Sequence, residues 1–283
     1  MKDSASLAAR LAQFAISTPP ESLQGPARDI VYLSMADFIA VARAGADEPV
    51  ARITREMVMA EEGRAEAALV GSNARAPARA AALANGAAGH ALDYDDTHFA
   101  YIGHPSTVVM PTVLALVERT EATASELYDA ALIGLEGATR VGVWLGREHY
   151  QIGFHITASA GSFGSTMAAS RLLDLTEEQT IHAISLVASR AAGLKSQFGT
   201  MGKPYHAGMA ASNGIEAALL AKAGFISRSS ALDGDQGFSE THAGEGNESA
   251  FDGMGHKFIF TDVQHKYHAC CHGIHASLEA LQK

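Results

Sequence analysis

Residues 76–90 read A-P-A-R-A-A-A-L-A-N-G-A-A-G-H, a segment in which most side chains are alanine or glycine. Alanine has the highest helix propensity, so the segment is predicted to be helical. Each alanine buries little apolar area, and such a helix is stable only where it packs closely against others. The segment therefore predicts a fold of tightly packed helices, as does a composition with 47% hydrophobic but only 7% aromatic residues.

The segment that follows, residues 90–106, is dense in ionisable side chains and reads H-A-L-D-Y-D-D-T-H-F-A-Y-I-G-H-P-S. If the helix continues to about residue 97, one face carries four polar side chains: His90, Asp93, Tyr94 and Thr97. Gly103 and Pro105 then place His104 on a loop, because glycine frees the backbone and proline favours an extended residue before it. A histidine held beside carboxylates can transfer protons near neutral pH. The alternative is a helix end with solvated acids.

Apolar spacing and capping patterns predict a series of helices along the rest of the chain: residues 4–16, 27–44, 50–61, 108–118, 123–145, 157–173, 176–192, 205–223 and 268–281. The first of these is expected to be capped near Ser4. A loop is predicted at residues 146–154, and short extended pieces at residues 67–71 and 258–260. Because strands do not alternate with helices, the sequence predicts an all-α fold, a large helical bundle.

The charge and the cysteines limit the class of protein. The formal net charge is -10, and a nucleic-acid partner is not expected because binding the phosphate backbone needs clustered cations. Cys270 and Cys271 are adjacent and form no disulfide framework, so a reducing compartment is expected. The first residues are too often interrupted by charge to predict a signal peptide or a membrane span. We expect a cytoplasmic protein without a membrane partner.

Three further segments place cations at the starts of predicted helices. His155 lies in G-F-H-I-T, where Thr157 is predicted to cap a helix, and Lys203 lies in G-T-M-G-K-P-Y-H-A-G. Lys266 lies in H-K-Y-H-A-C-C-H. If these three residues converge with His104, they form a pocket for a di- or tricarboxylate. Taken singly, each is equally typical of a solvated surface residue.

Two metal-binding alternatives also follow from the sequence. Four side chains near the end of the chain recur at helical spacing and offer nitrogen or sulfur ligands: His268, Cys271, His272 and His275. Their spacing matches no C-x-x-C pattern. A metal-dependent hydrolase is the second alternative, with five ligands in the acidic segment: Asp93, Asp95, Asp96, His98 and His104.

The motifs H-A-L-D-Y-D-D-T-H, G-H-P-S, G-F-H-I-T and G-T-M-G-K-P-Y-H-A-G, in this order, resemble the MmgE/PrpD family. This family includes 2-methylcitrate dehydratase, cis-aconitate decarboxylase and iminodisuccinate epimerase. The resemblance implies an all-helical domain over residues 1–262 and the start of an α+β lid domain over residues 263–283. It also implies a homodimer that needs no metal or organic cofactor, with an active site between the two domains.

The resemblance assigns the site residue by residue. It implies four catalytic residues: Asp93, His104, His155 and Lys203. It implies three substrate-binding residues: Thr97, His98 and Lys266. The implied activity is that of a lyase of the 2-methylcitrate dehydratase type, as in propionate catabolism, with a decarboxylase or an epimerase as alternatives.

The chain departs from the family pattern in two ways. Ile156 stands where the family usually has proline, and K-Y-H-A-C-C stands where many relatives have proline before a single cysteine. Family members are also longer, so most of the lid is expected to be missing. A helical scaffold without catalytic activity is therefore a further alternative, since a site that needs a lid to exclude water is weak without one.

Overall fold

The protein is described here by a computed structural model that covers residues 5–282. These residues form eleven α-helices: α1 (Leu7–Ser17), α2 (Pro26–Gly45), α3 (Pro49–Ala60), α4 (Ala78–Gly89), α5 (Ser106–Thr120), α6 (Ala124–Ile152), α7 (Ile156–Leu172), α8 (Glu177–Ala188), α9 (Gly202–Lys222), α10 (Phe238–Thr241) and α11 (His275–Gln282). Two short strands, β1 (Ala67–Ala68) and β2 (Arg75–Ala76), pair antiparallel. The all-α prediction is confirmed. None of the helices in residues 5–282 is long and apolar enough to cross a membrane.

Helix α7 is the centre of the bundle, and all of its residues except Arg171 are buried. It packs against α5, α6, α8 and α9. Small residues allow this close approach: a Cβ atom on Gly164 would lie 2.4 Å from the carbonyl oxygen of Gly134 in α6. The same holds where α4 meets α9, because a Cβ atom on Gly208 would lie 2.0 Å from the carbonyl oxygen of Leu83. The prediction of tightly packed, small-residue helices is confirmed.

The two predicted capping boxes are present. Thr123 and Glu126 exchange hydrogen bonds at the start of α6, and Thr176 and Gln179 do so at the start of α8. The start predicted near Ser4 lies outside the described residues. Helix α1 begins at Leu7, and Ser6 Oγ accepts the backbone N–H of Ala9.

The helix predicted through residue 97 is wrong. Helix α4 ends at Gly89, and Asp93 has a left-handed backbone with φ of 55°. The single polar face predicted for residues 90–97 therefore does not exist. The segment instead forms turns between α4 and α5, and these turns direct its polar side chains toward the interior.

Four other local predictions are wrong. Helix α6 continues through the predicted loop at residues 146–154, with a break at Gly146, whose φ is 74°. Residues Ile259–Asp262 form a 3-10 helix instead of an extended piece. The last helix begins at His275 and not at residue 268. Thr157 does not cap α7, because its hydroxyl accepts the backbone N–H of His104 at 3.1 Å.

Candidate active site

A cleft with a volume of about 730 Å³ opens beside the segment between α4 and α5. Side chains from three separate stretches of sequence line it: His90, Asp93, His104, His155, Phe198 and Lys203. The loop before α5 supplies His104, the start of α7 supplies His155, and the first turn of α9 supplies Lys203. The structure therefore brings together the four residues that the resemblance implied as catalytic.

His104 has one nitrogen fixed by the protein and one nitrogen on the cleft side. Its Nδ1 donates to the carbonyl oxygen of Asp96 at 2.7 Å, so Nε2 carries the lone pair. Nε2 lies 3.5 Å from Asp93 Oδ1. Burial lowers the pKa of His104 to about 4, against the opposing charge of Asp95. His104 is therefore neutral at physiological pH and is a proton acceptor at Nε2.

The Asp93 carboxylate lies between two lysines. Lys203 Nζ is 3.2 Å from Oδ2, and Lys266 Nζ is 3.2 Å from Oδ1 and also donates to the Asp93 carbonyl oxygen. Burial favours a raised pKa at Asp93, but the charges of His104 and Lys203 outweigh burial and lower it. Asp93 is therefore ionised and orders both ammonium groups.

The two lysines differ in their access to the cleft. The side chain of Lys203 is 16% exposed and lines the cleft. The side chain of Lys266 is 1% exposed and lies behind Asp93, away from the cleft lining. Lys203 is thus placed to meet a substrate carboxylate directly. Lys266 acts on the cleft through Asp93, which differs from the direct substrate contact that the resemblance implied.

His155 is positioned by a second histidine that the sequence reading did not single out. Its Nδ1 lies 3.2 Å from Nδ1 of His206, so one of the two nitrogens donates and the other accepts. Burial lowers the pKa of His155 well below its usual value, and the neighbouring charges of His90 and His104 add to this effect. Burial also lowers the pKa of His206. Both imidazoles are therefore neutral at physiological pH.

Neither Thr97 nor His98, the two implied substrate-binding residues next to Asp96, lines the cleft. The backbone of Thr97 pairs with Gln264, through N–H···O distances of 2.9 and 2.7 Å. His98 is buried in the core, where Nε2 donates to the carbonyl oxygen of Ile259 at 2.9 Å and Nδ1 accepts the backbone N–H of Tyr101 at 3.1 Å. Both nitrogens of His98 are occupied by backbone, which explains its position and leaves no polar atom for a substrate.

His90 and Asp95 form a pair in the site that the sequence did not predict, since Asp95 was named only as a possible metal ligand and His90 only on a polar helix face. His90 Nδ1 donates to Asp95 Oδ2 at 2.8 Å, and the rings of His90 and His104 meet at a centroid distance of 4.7 Å. The signal was present in the sequence, as a histidine ending an alanine-rich helix five residues before an aspartate. The wrong helical register hid it, because it placed Asp95 on a different face from His90.

One group of side chains within residues 5–282 is arranged so that each member offers a ligand atom within 4.8 Å of the others: His90, Asp93, Asp95 and His104. Two ammonium groups already neutralise Asp93 there. Three of the five ligands of the hydrolase alternative belong to this group, whereas Asp96 accepts from Ser106 and His98 bonds to backbone. The histidines near the chain end form no such group in this part of the chain: His268 bonds to Glu279 at 2.7 Å.

Sequence comparison with known proteins identifies the family of the chain. The profile of the MmgE/PrpD N-terminal domain matches residues 9–249. Cis-aconitate decarboxylase-like protein oryM of Aspergillus oryzae is 28% identical over 266 residues, which are 88% of this chain and 55% of that protein. Cis-aconitate decarboxylase of Aspergillus terreus is 29% identical over 262 residues, or 87% of this chain and 54% of that protein.

The human cis-aconitate decarboxylase is 34% identical over 175 residues, which are 60% of this chain and 36% of the human protein. The chain thus spans about half the length of the fungal relatives that it matches. The family profile, in contrast, covers most of the chain and includes every cleft-lining histidine described above. On this match the chain belongs to the MmgE/PrpD family.

Proposed function

We propose that the protein is a cofactor-independent lyase that moves a proton at a carbon next to a carboxylate of a small di- or tricarboxylate. One observation carries this proposal: His104 presents an unprotonated Nε2 in the same cleft as the ammonium group of Lys203. The first group can take a proton from carbon. The second can hold the carboxylate on which the resulting negative charge spreads.

The chemistry needs both groups because a proton beside a carboxylate is weakly acidic. Removing it places charge on the carboxylate oxygens, as an enediolate-like species, and a fixed cation stabilises that charge. Asp93 keeps the Lys203 ammonium in place and lies 3.5 Å from His104 Nε2. Lys266 in turn orders Asp93. The four residues act as one unit.

Two lyase reactions fit this unit. The motif resemblance favours dehydration of 2-methylcitrate, in which a proton and a hydroxyl group leave adjacent carbons. The names of the relatives favour decarboxylation of cis-aconitate, in which carbon dioxide leaves and the carbon takes up a proton. Epimerisation is the third family reaction and returns the proton to the opposite face. Dehydration and epimerisation begin with proton removal from carbon at His104, whereas decarboxylation delivers a proton to carbon.

Proton NMR of the protein in D₂O tests this function against 2-methylcitrate, citrate, cis-aconitate and iminodisuccinate. The matched control is His104→Asn, since the asparagine amide can keep the bond to the Asp96 carbonyl oxygen while Nε2 is lost. We expect deuterium incorporation or product from one substrate, and neither in the control. Activity that survives EDTA would exclude a required metal ion, and equal exchange in both proteins would contradict the proposal.

A helical scaffold without catalysis is the second function proposed. A second copy of the chain is the partner proposed under either function. Exposed apolar side chains on α2 support this, since Tyr32 is 61% exposed and Leu33 is 53% exposed. Light scattering after size exclusion gives the oligomeric state. A dimer that exchanges no deuterium with any of the four acids would establish the scaffold.

A further inference from the structure

A buried pair beside His104 has a free nitrogen that the proton transfer described above does not use. The side chains of His90 and Asp95 are 0% and 1% exposed, and His90 Nδ1 donates to Asp95 at 2.8 Å. His90 Nε2 is buried without a hydrogen-bond partner. His90 is also one of the residues that line the cleft, and its Nδ1 is taken by Asp95. A buried polar atom is seldom left unpaired unless it has a function.

The groups that accept a hydrogen bond from Nδ1 of His90 and from Nδ1 of His104 differ in charge. Nδ1 of His104 donates to a backbone carbonyl, which fixes the tautomer but carries no charge. Nδ1 of His90 donates to a carboxylate, which fixes the tautomer and also stabilises the imidazolium that forms when Nε2 takes a proton. Asp95 lies farther from His104, at 3.4 Å from its Nδ1. Two imidazoles with rings 4.7 Å apart are thus set up for opposite roles.

We propose that His90, supported by Asp95, is a second catalytic histidine that donates a proton to the substrate while His104 accepts one. This inference rests on the lyase function proposed above. In a dehydration, His104 Nε2 takes the proton from carbon and the C–H electron pair forms the double bond. The C–O bond breaks as the His90 imidazolium, whose Nδ1–H stays on Asp95, gives its Nε2 proton to the leaving hydroxyl group, which departs as water. Exchange with solvent restores both histidines.

The same residue serves a decarboxylation. The bond between carbon and the departing carboxylate breaks, carbon dioxide leaves, and the electron pair stays on carbon. His90 Nε2–H gives its proton to that carbon, and solvent replaces the proton on His90. The reaction consumes one proton for each product formed, and no oxidant or reductant is needed.

The acceptor role of His104, next to His90, predicts how the rate depends on pH. The titratable groups that face His90 in the site are Asp93, Asp95, His104, His155 and His206. Asp95 is ionised, because the charges of His90 and His104 lower its pKa despite the opposing effect of burial. The rate should therefore fall at low pH as His104 gains a proton.

The experiment compares His90→Asn with the wild-type protein. An asparagine amide can replace Nδ1 as the donor to Asp95, and it removes Nε2 from the cleft. We expect kcat to fall by about 10²- to 10⁴-fold with KM little changed, and the low-pH limb of the rate profile to remain. His104→Asn should instead remove the low-pH limb. His256→Asn, at an exposed histidine, is the control and should leave the profile unchanged.

Asp95→Asn keeps the tests apart from a folding defect, because it retains an acceptor for His90 while removing the charge. It should lower kcat with His90 still present. Unchanged kcat in folded His90→Asn, with active wild-type protein, would overturn the role of His90 and leave the lyase function standing. No turnover of any of the four acids by the wild-type protein would overturn both.

Discussion

Two buried histidines, His104 in the cleft and His149 in α6, have similarly lowered pKa values. They differ in how many of their ring nitrogens are hydrogen-bonded. Burial lowers the pKa of each to about 4. His149 is bonded at both nitrogens, to the carbonyl oxygen of His242 at 2.5 Å and to Ser159 Oγ at 2.8 Å. His104 is bonded to backbone at Nδ1 alone and has Nε2 beside Asp93. A lowered pKa marks burial, and a free nitrogen at a cleft marks a site.

The largest expected effect is on turnover at His104. His104→Asn should lower kcat by about 10²- to 10⁴-fold, because it deletes the proton acceptor and can keep the Asp96 bond. Initial rates measured by proton NMR give this value. His149→Asn is the matched control and should retain the kcat of the wild-type protein per folded molecule. If both variants lose kcat equally, the distinction between the two histidines is wrong.

Substitution of His149 should mainly lower the free energy of unfolding, whereas substitution of His104 should mainly lower turnover. His149→Phe can keep the stack on Phe154 but leaves the His242 carbonyl oxygen and Ser159 Oγ without partners, which costs about 1–3 kcal/mol for each group. Urea unfolding at pH 7 measures this loss. A variant that unfolds at the urea concentration of the wild-type protein would show that these bonds contribute nothing.

Both histidines should make the free energy of unfolding depend on pH. Between the usual pKa of 6.5 and the folded value of about 4, the unfolded chain binds a proton that the folded chain does not. The free energy of unfolding therefore rises with pH in this window, by about 1.4 kcal/mol per pH unit for each histidine. His104→Asn and His149→Phe should each reduce the slope by that amount. An unchanged slope in either would show that its histidine is charged in the fold.

The sequence predicted the structure correctly where the pattern lay within a few neighbouring residues. It failed where the structure depends on residues far apart in the chain. The helices starting at Thr123 and Thr176 were predictable because their capping boxes lie within four residues. The turn at Asp93 was not, because its left-handed backbone is held by lysines 110 and 173 residues away, at positions 203 and 266. His206 was missed for the same reason, since only the packing of α7 and α9 shows that it meets His155.

Lysines allow the same comparison at a smaller expected effect. Lys203 lines the cleft, whereas Lys195 donates to the Tyr150 carbonyl oxygen at 3.0 Å and does not line it. Lys203→Met should raise KM for the tricarboxylate by about 10- to 100-fold, the size of one charged hydrogen bond of about 1.5–3 kcal/mol. Lys195→Met should leave KM unchanged. Isothermal titration with propane-1,2,3-tricarboxylate, which cannot react, measures the binding part alone and should rank the variants in the same order.

The smallest expected effect lies at the start of α8, which does not line the cleft. Thr176→Ala removes the hydroxyl that accepts the backbone N–H of Gln179 and should cost about 1 kcal/mol of stability. Thr176→Ser keeps the hydroxyl and should restore the stability, as measured by urea unfolding. Both variants should have the kcat and KM of the wild-type protein, because the bundle holds the cleft residues on α5, α7 and α9 independently of this cap. If kcat fell together with this loss of stability, the positions of the cleft histidines would depend on the stability of the whole fold. The effect of His104→Asn on kcat would then have to be corrected for its own loss of stability. Only the remainder could be assigned to the missing proton acceptor.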